Sequence, residues 1–238
     1  MHRFYQPDIA STLSLGDEES QHCVRVLRLS AGDTIEVVDG CGTLHTCRIT
    51  LAHSKHCQVE IVDSQSLPRP WQGTITLAVA PTKNLDRIEW LAEKCTEMGI
   101  DRIVPLLCGN SERKVLKTER LRKILVAAMK QSLKATLPQL DELTPIAAFL
   151  SQAPAGQRFI AYCDPALPRE QRRSLAQLYE PGTDVTILIG PEGDFTPAEV
   201  DAALAAGFVP VTLGESRLRT ETAAVAAVAA FHAITSRG

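Results

Sequence analysis

The chain lacks the common signatures of nucleotide and hydrolase sites. No Gly-x-Gly-x-x-Gly and no Gly-x-x-x-x-Gly-Lys-Ser/Thr occurs, so neither a Rossmann dinucleotide site nor a P-loop is supported. Gly-x-Ser-x-Gly is missing as well. There is no Cys-x-x-Cys, and seven cysteines at irregular spacing argue against a disulfide framework, so reduced, mostly buried thiols are expected. The longest apolar stretch, Ala223 to Ile234 around His232, is too short to span a bilayer. Met1 to Pro7 carries no apolar h-region of a signal peptide, which predicts a cytoplasmic protein without a membrane anchor. Aromatic residues make up 5% of the 238, and no stacking platform for bases stands out. One cluster has the composition of a metal site: Cys41, His45, Cys47, His53, His56 and Cys57. Its spacing matches no common zinc pattern, and alternation along strands would throw these side chains onto both faces, so no metal is expected.

What is present begins with charge. The net charge is −3, yet Lys83 to Lys134 holds twelve Lys/Arg against seven Asp/Glu, which makes that segment +5 and leaves −8 elsewhere. Its densest part runs from Ser111 to Lys123. A basic patch on an acidic chain suits a phosphate backbone, and charge patterning alone equally suits a solvated helix face.

Two regions differ in rhythm. Residues 1–70 carry short β-type runs, Thr34 to Val38, Leu44 to Leu51 and Gln58 to Val62, separated by turn residues, which predicts a small β-barrel domain. Within it, Glu19 to Leu29 places His22, Val26 and Leu29 on one face and reads as a short helix presenting Arg25 and Arg28. Ser64 to Trp71 has the composition of a linker. Residues 71–238 alternate strands (Thr74–Ala80, Arg102–Leu107, Arg158–Tyr162, Asp184–Ile189, Val209–Leu213) with helices (Leu85–Met98, Thr118–Leu133, Arg169–Leu178, Pro197–Ala206, Thr220–Thr235). This is the pattern of an α/β domain with a largely parallel sheet.

The strongest local signal is Leu188-Ile189-Gly190-Pro191-Glu192-Gly193-Asp194-Phe195-Thr196-Pro197-Ala198-Glu199. An apolar strand is followed by a glycine loop, and then Thr196 and Glu199 form a capping box with Pro197 at the first helical position. Gly190 and Gly193 are expected to adopt positive φ and let a ligand approach, with the helix start offering free N–H donors to an anion. A second loop, Leu213-Gly214-Glu215-Ser216-Arg217-Leu218-Arg219-Thr220-Glu221-Thr222-Ala223, follows the next strand. Both loops should therefore lie at the carboxyl edge of one sheet and build one small-molecule pocket.

These residues resemble the SPOUT superfamily of trefoil-knot methyltransferases, and within it the enzymes that modify N3 of a uridine in 16S rRNA. The resemblance extends over His22-x-x-Arg25-Val26-Leu27-Arg28, Gly32-Asp33, Lys83, Glu93 to Ile100, Ser111-Glu112-Arg113 and Gln131-Ser132, so that it covers essentially the whole chain. Two positions depart from it. Ser216 and Arg217 stand where many relatives have an arginine straight after the Leu-Gly pair, and Leu133-Lys134 stands where many have Gly-Arg. The resemblance implies an amino-terminal PUA-like barrel that binds RNA, a knotted carboxy-terminal domain, S-adenosylmethionine as methyl donor, the small ribosomal subunit as partner, and a homodimer. It also implies that Leu188, Gly190, Gly193, Leu213, Leu218 and Thr220 hold the cofactor, largely through backbone groups. Arg219 is the candidate for stabilising a developing uridine anion or for a phosphate contact. Glu192 is the second catalytic candidate, as a base, an orienting group or a loop carboxylate. Arg25, Arg28, Lys83, Lys94, Arg113 and Gln131 are the candidate RNA contacts. Three rivals remain open: a related enzyme with another nucleotide or base atom as target, a catalytically silent RNA-binding factor of the same fold, and a phosphate-binding metabolic enzyme that binds a nucleotide without any RNA.

Overall fold

The computed structural model describes residues 2–152, 154–162 and 172–236. They fall into two compact units, Met1–Pro70 with Val126–Leu137 and Trp71–Leu125 with Pro138–Gly238.

The first unit contains β1 (Arg3–Tyr5), α1 (Ile9–Thr12), α2 (Asp17–Gln21), a π-helical turn (His22–Val26), β2 (Thr34–Val38), β3 (Thr43–Leu51) and β4 (Gln58–Ser66). The strands form a sheet in the order β1-β2-β3-β4, with β1 parallel to β2 and the other pairs antiparallel. Period-two alternation sends Ile35, Val37, Cys47 and Ile49 into one core with Phe4, Ile9 and Val59. Register shifts between Thr46 and Cys47 and between Ile49 and Leu51 bend β3.

The expected helix Glu19–Leu29 is only partly realised. It begins earlier, at Asp17, and after Gln21 widens into the π turn, ending before Arg28, which takes φ 56°. The wider turn rotates the register, so Cys23 faces the core while Val26 is 65% exposed. Arg25 and Arg28 are exposed, as expected. The linker expectation, Ser64 to Trp71, holds in part, since the division between the units falls after Pro70. β4 continues to Ser66, and Trp71 is anchored by its indole N–H, which donates to Asp101 Oδ2 at 3.0 Å, and by edge-on contact with His232.

The second unit comprises β5 (Ile75–Val79), α3 (Leu85–Met98), β6 (Arg102–Leu107), α4 (Thr118–Gln131), β7 (Gln139–Leu140), β8 (Thr144–Pro145), α5 (Ile146–Ser151), β9 (Gln157–Ala161), α6 (Leu175–Leu178), β10 (Val185–Ile189), α7 (Pro197–Ala205), β11 (Val209–Val211) and α8 (Thr220–Thr235). The unit boundary falls within α4, so Gln131 groups with the first unit. Of the expected helix Arg169–Leu178, residues 169–171 lie outside the described residues, and α6 occupies only its last four positions.

The sheet runs β11-β9-β10-β5-β6-β7, with β8 also paired to β6, and every pairing in it is parallel. Parallel sheets are covered on both faces, and β5 and β10 are accordingly buried at every residue. Ala78, Val104, Leu106, Ile160 and Leu188 point to the face covered by Phe149 of α5 and by Val200 and Ala203 of α7. On α8 the buried residues are mostly small, with Ala224, Ala227 and Val228 fully covered, which lets the helix lie close to α3 and α6. Asn84 caps α3 by accepting the Asp86 N–H, and Gly99 ends it with φ 118°. Among the described residues no helix is long and apolar enough to cross a membrane.

Candidate functional site

Three adjacent strands, β11, β9 and β10, end at the same edge of the parallel sheet. Over their carboxyl ends lies a cavity of about 810 Å³ whose floor includes Ala161, Ile189 and Val211. Such crevices at strand ends are where open α/β sheets bind ligands, and the volume suits a drug-sized molecule. The loop after β10 contributes Gly190, Pro191, Glu192 and Asp194; the loop after β11 contributes Leu213 to Arg219; and the first turn of α8 contributes Thr220 and Ala223. The expectation that two loops build one pocket therefore holds.

The cofactor candidates divide. Gly190, Leu213, Leu218 and Thr220 line the cavity, whereas Leu188 is wholly buried in the core below it and Gly193 faces away. Gly193 instead lies against Asn110, where a Cβ would come within 3.1 Å of the Asn110 Cβ. Asn110 donates from Nδ2 to the carbonyls of Gly193 and Asp194, both at 3.1 Å, and thereby fixes the loop.

Two local expectations for this loop are corrected. Neither Gly190 nor Gly193 takes a left-handed φ; that conformation belongs to Asp194, at φ 62°. At 190 glycine leaves room for the Phe195 ring, which a Cβ would meet at 3.1 Å. The α7 start is also not a free anion site. The Thr196–Glu199 capping box forms as predicted, with Thr196 N donating to Glu199 Oε2 at 2.8 Å, and the other carboxylate oxygen accepts the Gly109 N–H at 2.7 Å. The Glu199 N–H at this start is itself answered by Thr196 Oγ1 at 3.3 Å. The helix start that does open on the cavity is that of α8. Its N-cap residue Arg219 is extended and supplies no side-chain cap, and the Thr220 hydroxyl donates to the Gly190 carbonyl at 3.0 Å, tying the two loops together.

Both catalytic candidates line the cavity. Arg219 is exposed there. Glu192 accepts the backbone N–H of Lys83 on Oε1 at 3.0 Å, which ties the loop after β10 to the loop after β5. Glu221, one residue beyond Thr220, is turned away from the cavity. It is buried, one oxygen lies 3.6 Å from Arg87 Nε, and the other has no hydrogen-bond partner.

Arg25, Arg28 and Gln131 belong to the first unit, and Lys83, Lys94 and Arg113 to the second. Lys83 pairs with Glu112 at 2.8 Å, and this carboxylate raises the Lys83 pKa through hydrogen bonding and charge. Arg113 donates through Nε to Thr82 O at 3.1 Å and through Nη2 to Lys83 O, so it braces the same loop from below. Lys94 reaches Glu93 at 2.6 Å and Glu97 at 2.9 Å along α3, and both carboxylates raise its pKa. Gln131 is exposed at the end of α4.

Sequence reasoning missed Asn110, which carries no motif signal, and Asp194. It also missed Arg172, Ser174 and Gln177, which line the cavity from the segment leading into α6. The sequence had shown that segment only as part of a helix. Of the metal-like cluster, Cys47 and Cys57 are buried, His45 bonds Ser64 at 2.8 Å, and Cys41 is exposed. Among the described residues no three His, Cys, Asp or Glu side chains gather as a metal site.

Comparison with known proteins bears on what this cavity takes. An RNA methyltransferase domain family matches residues 69–232, and an RNA methyltransferase PUA domain family matches residues 15–62. The ribosomal RNA small subunit methyltransferase E of Synechocystis is 31% identical, over 95% of this chain and 74% of that protein. Among solved structures, a probable rRNA-methyltransferase from Porphyromonas gingivalis is 45% identical with a TM-score of 0.93, covering 100% of this chain and 99% of that one. A ribosomal RNA small subunit methyltransferase E from Neisseria gonorrhoeae bound to S-adenosyl methionine is 29% identical with a TM-score of 0.86, over 98% of both chains.

Proposed function

The chain belongs to the RNA methyltransferase family that carries an amino-terminal PUA domain, and we propose that it transfers the methyl group of S-adenosylmethionine to N3 of one uridine in small-subunit (16S) rRNA. The single observation that carries this reading is the shared cavity at the ends of β11, β9 and β10, walled by Gly190 to Glu192 and Leu213 to Thr220.

The residues present fit the cofactor. Ile189, Val211, Leu213 and Leu218 give apolar walls suited to an adenosine, and Arg172 suits a carboxylate. Glu192, Asp194 and Glu215 suit an ammonium and a sulfonium. Bound there, S-adenosylmethionine supplies an electrophilic methyl group. The protein's part is to hold N3 in line with that methyl and to favour loss of the imide proton. Arg219 stands exposed at the α8 start, where a fixed cation stabilises the anion that develops on the uracil ring. Glu192 acts as a positioning residue: its carboxylate holds the loop after β10 to the Lys83 backbone and so fixes one wall of the cavity. Arg25 and Arg28 in one unit, and Lys83 and Lys94 in the other, serve as phosphate contacts. Arg113 supports Lys83 rather than RNA directly, and Gln131 is an exposed polar contact. The same reading includes a homodimer, a knotted carboxy-terminal segment, a PUA-like RNA-binding domain over residues 1–70 followed by the methyltransferase domain over 71–238, and a cytoplasmic site of action on the small ribosomal subunit.

The test uses purified protein, labelled S-adenosylmethionine and small ribosomal subunits from a strain lacking the modification. N3-methyluridine at one position, abolished by Arg219→Ala with cofactor binding retained, is the expected result. Cofactor binding with a different methylated nucleoside would move the target, and absence of cofactor binding would sink the enzymatic reading. Light scattering of the same preparation checks the dimer.

A further inference from the structure

The turn joining β3 to β4 carries two imidazoles that the first unit's core does not use. His53 and His56 are both exposed, and their rings stack with centroids 3.7 Å apart and planes 29° from parallel. The turn holds them there. His53 Nδ1 accepts the Lys55 backbone N–H at 3.3 Å, and the His53 N–H donates to Leu51 O at 3.1 Å. Just beyond, Cys57 is buried and its N–H donates to the buried Ser20 hydroxyl at 2.8 Å. From the π turn, Arg25 Nη2 comes within 3.4 Å of Ser54 Oγ, which brings a guanidinium beside the stack, and the exposed Lys55 sits between the two histidines in sequence.

Two exposed rings gain little for folding by stacking, because their outer faces stay in water. A divalent metal is a poor occupant: rings lying nearly face to face do not converge two nitrogens on one ion, and no third ligand is gathered among the described residues. An unpaired nucleobase is a good one. It stacks on an aromatic or guanidinium plane, while neighbouring cations meet the phosphates on either side.

We infer that the His53–His56 stack is a base-stacking platform on which one unpaired RNA base rests, with Arg25 and Lys55 meeting the flanking phosphates. The inference rests on the reading of the chain as an RNA enzyme. The partner is single-stranded RNA, a loop or bulge, because in a duplex the base faces are already covered by their neighbours.

The experiment follows fluorescence of a short single-stranded RNA carrying 2-aminopurine as the full-length protein is titrated in, with a blunt duplex of the same sequence alongside. Wild-type protein is expected to bind the single strand in preference and to quench the fluorophore by stacking. His53→Ala/His56→Ala should raise the Kd about tenfold and lose the quench. His53→Phe/His56→Phe should keep both, and Lys55→Ala should weaken binding, mostly at low salt, while leaving the quench intact. S-adenosylmethionine affinity, unchanged across the set, verifies folding. Wild-type binding with undiminished affinity and quench in the double alanine variant overturns the platform alone. Wild-type protein that binds the cofactor but no RNA overturns the RNA reading with it.

Discussion

The hydroxyl of Thr220, in the first turn of α8, donates to the carbonyl of Gly190, thirty residues earlier, at 3.0 Å. This bond joins the two cavity-forming loops, and Thr220 is itself only 6% exposed. Thr220→Val keeps the shape and removes the donor, leaving a carbonyl short of a partner at a cost of about 1 kcal/mol or somewhat more. The expected outcome by calorimetry is a roughly tenfold weaker Kd for S-adenosylmethionine, with Thr220→Ser close to wild type.

Glu192 is tested by pairing two substitutions. Glu192→Gln keeps an oxygen that accepts the Lys83 N–H but removes the capacity to take a proton; Glu192→Ala removes both. A positioning role predicts that Glu192→Gln retains most of kcat with an unchanged pH profile, while Glu192→Ala loses cofactor affinity by about tenfold. A loss of kcat of about a hundredfold in Glu192→Gln, with a shifted pH profile, would identify it as the base instead.

Gly99 ends α3 with φ 118°, and a Cβ there would stand 2.6 Å from the Trp71 ring and 3.1 Å from His232 Nε2. Its carbonyl also bonds His232 Nε2 at 2.6 Å. Gly99→Ala is expected to lose about 2–3 kcal/mol from left-handed strain together with overpacking. Denaturant titration followed by tryptophan fluorescence reads it directly, since Trp71 is the side chain displaced.

Asp39 gives the first unit an acid dependence. Burial on its own pushes its carboxyl up, but Oδ1 accepts the N–H groups of Cys41 at 2.7 Å and Thr43 at 3.0 Å, and the net effect is a value below the usual 3.8. A carboxyl lowered by folding stabilises fully above its unfolded value, and that contribution disappears as pH falls through the folded one, so the loss begins near about pH 4. Thermal melts of wild type and Asp39→Asn should differ at neutral pH and converge as the medium is made more acid than that.

Much of this was legible in the sequence where local physics settles it. α3 and α8 follow from the spacing of their apolar and small residues, and both bounds of each helix agree with the reading. The capping box of Thr196 and Glu199 needs only three residues of separation, and it formed as read. The buried strand Val185–Ile189 announced itself by an apolar run interrupted only by Thr186. Where the chain widened into a π turn after Gln21, the period changed from the one assumed, and Val26 came out exposed.

What the sequence by itself determined is therefore the longer strands and helices, their order and the two loops that carry the chemistry, because caps, glycine stops and apolar periodicity act over a few residues, whereas the short elements β1, α1, β7, β8 and α5 left no pattern long enough to read. Only the tertiary structure decided which of those loop residues meet. The order β11-β9-β10 sets strand ends side by side that are far apart along the chain. It turns Gly193 toward Asn110 and Gly190 toward Phe195, brings Lys83 to Glu192 across 109 residues, and leaves the α8 start rather than the α7 start open to a ligand. Each of those outcomes depends on packing between segments distant in sequence, and no local pattern encodes the partner.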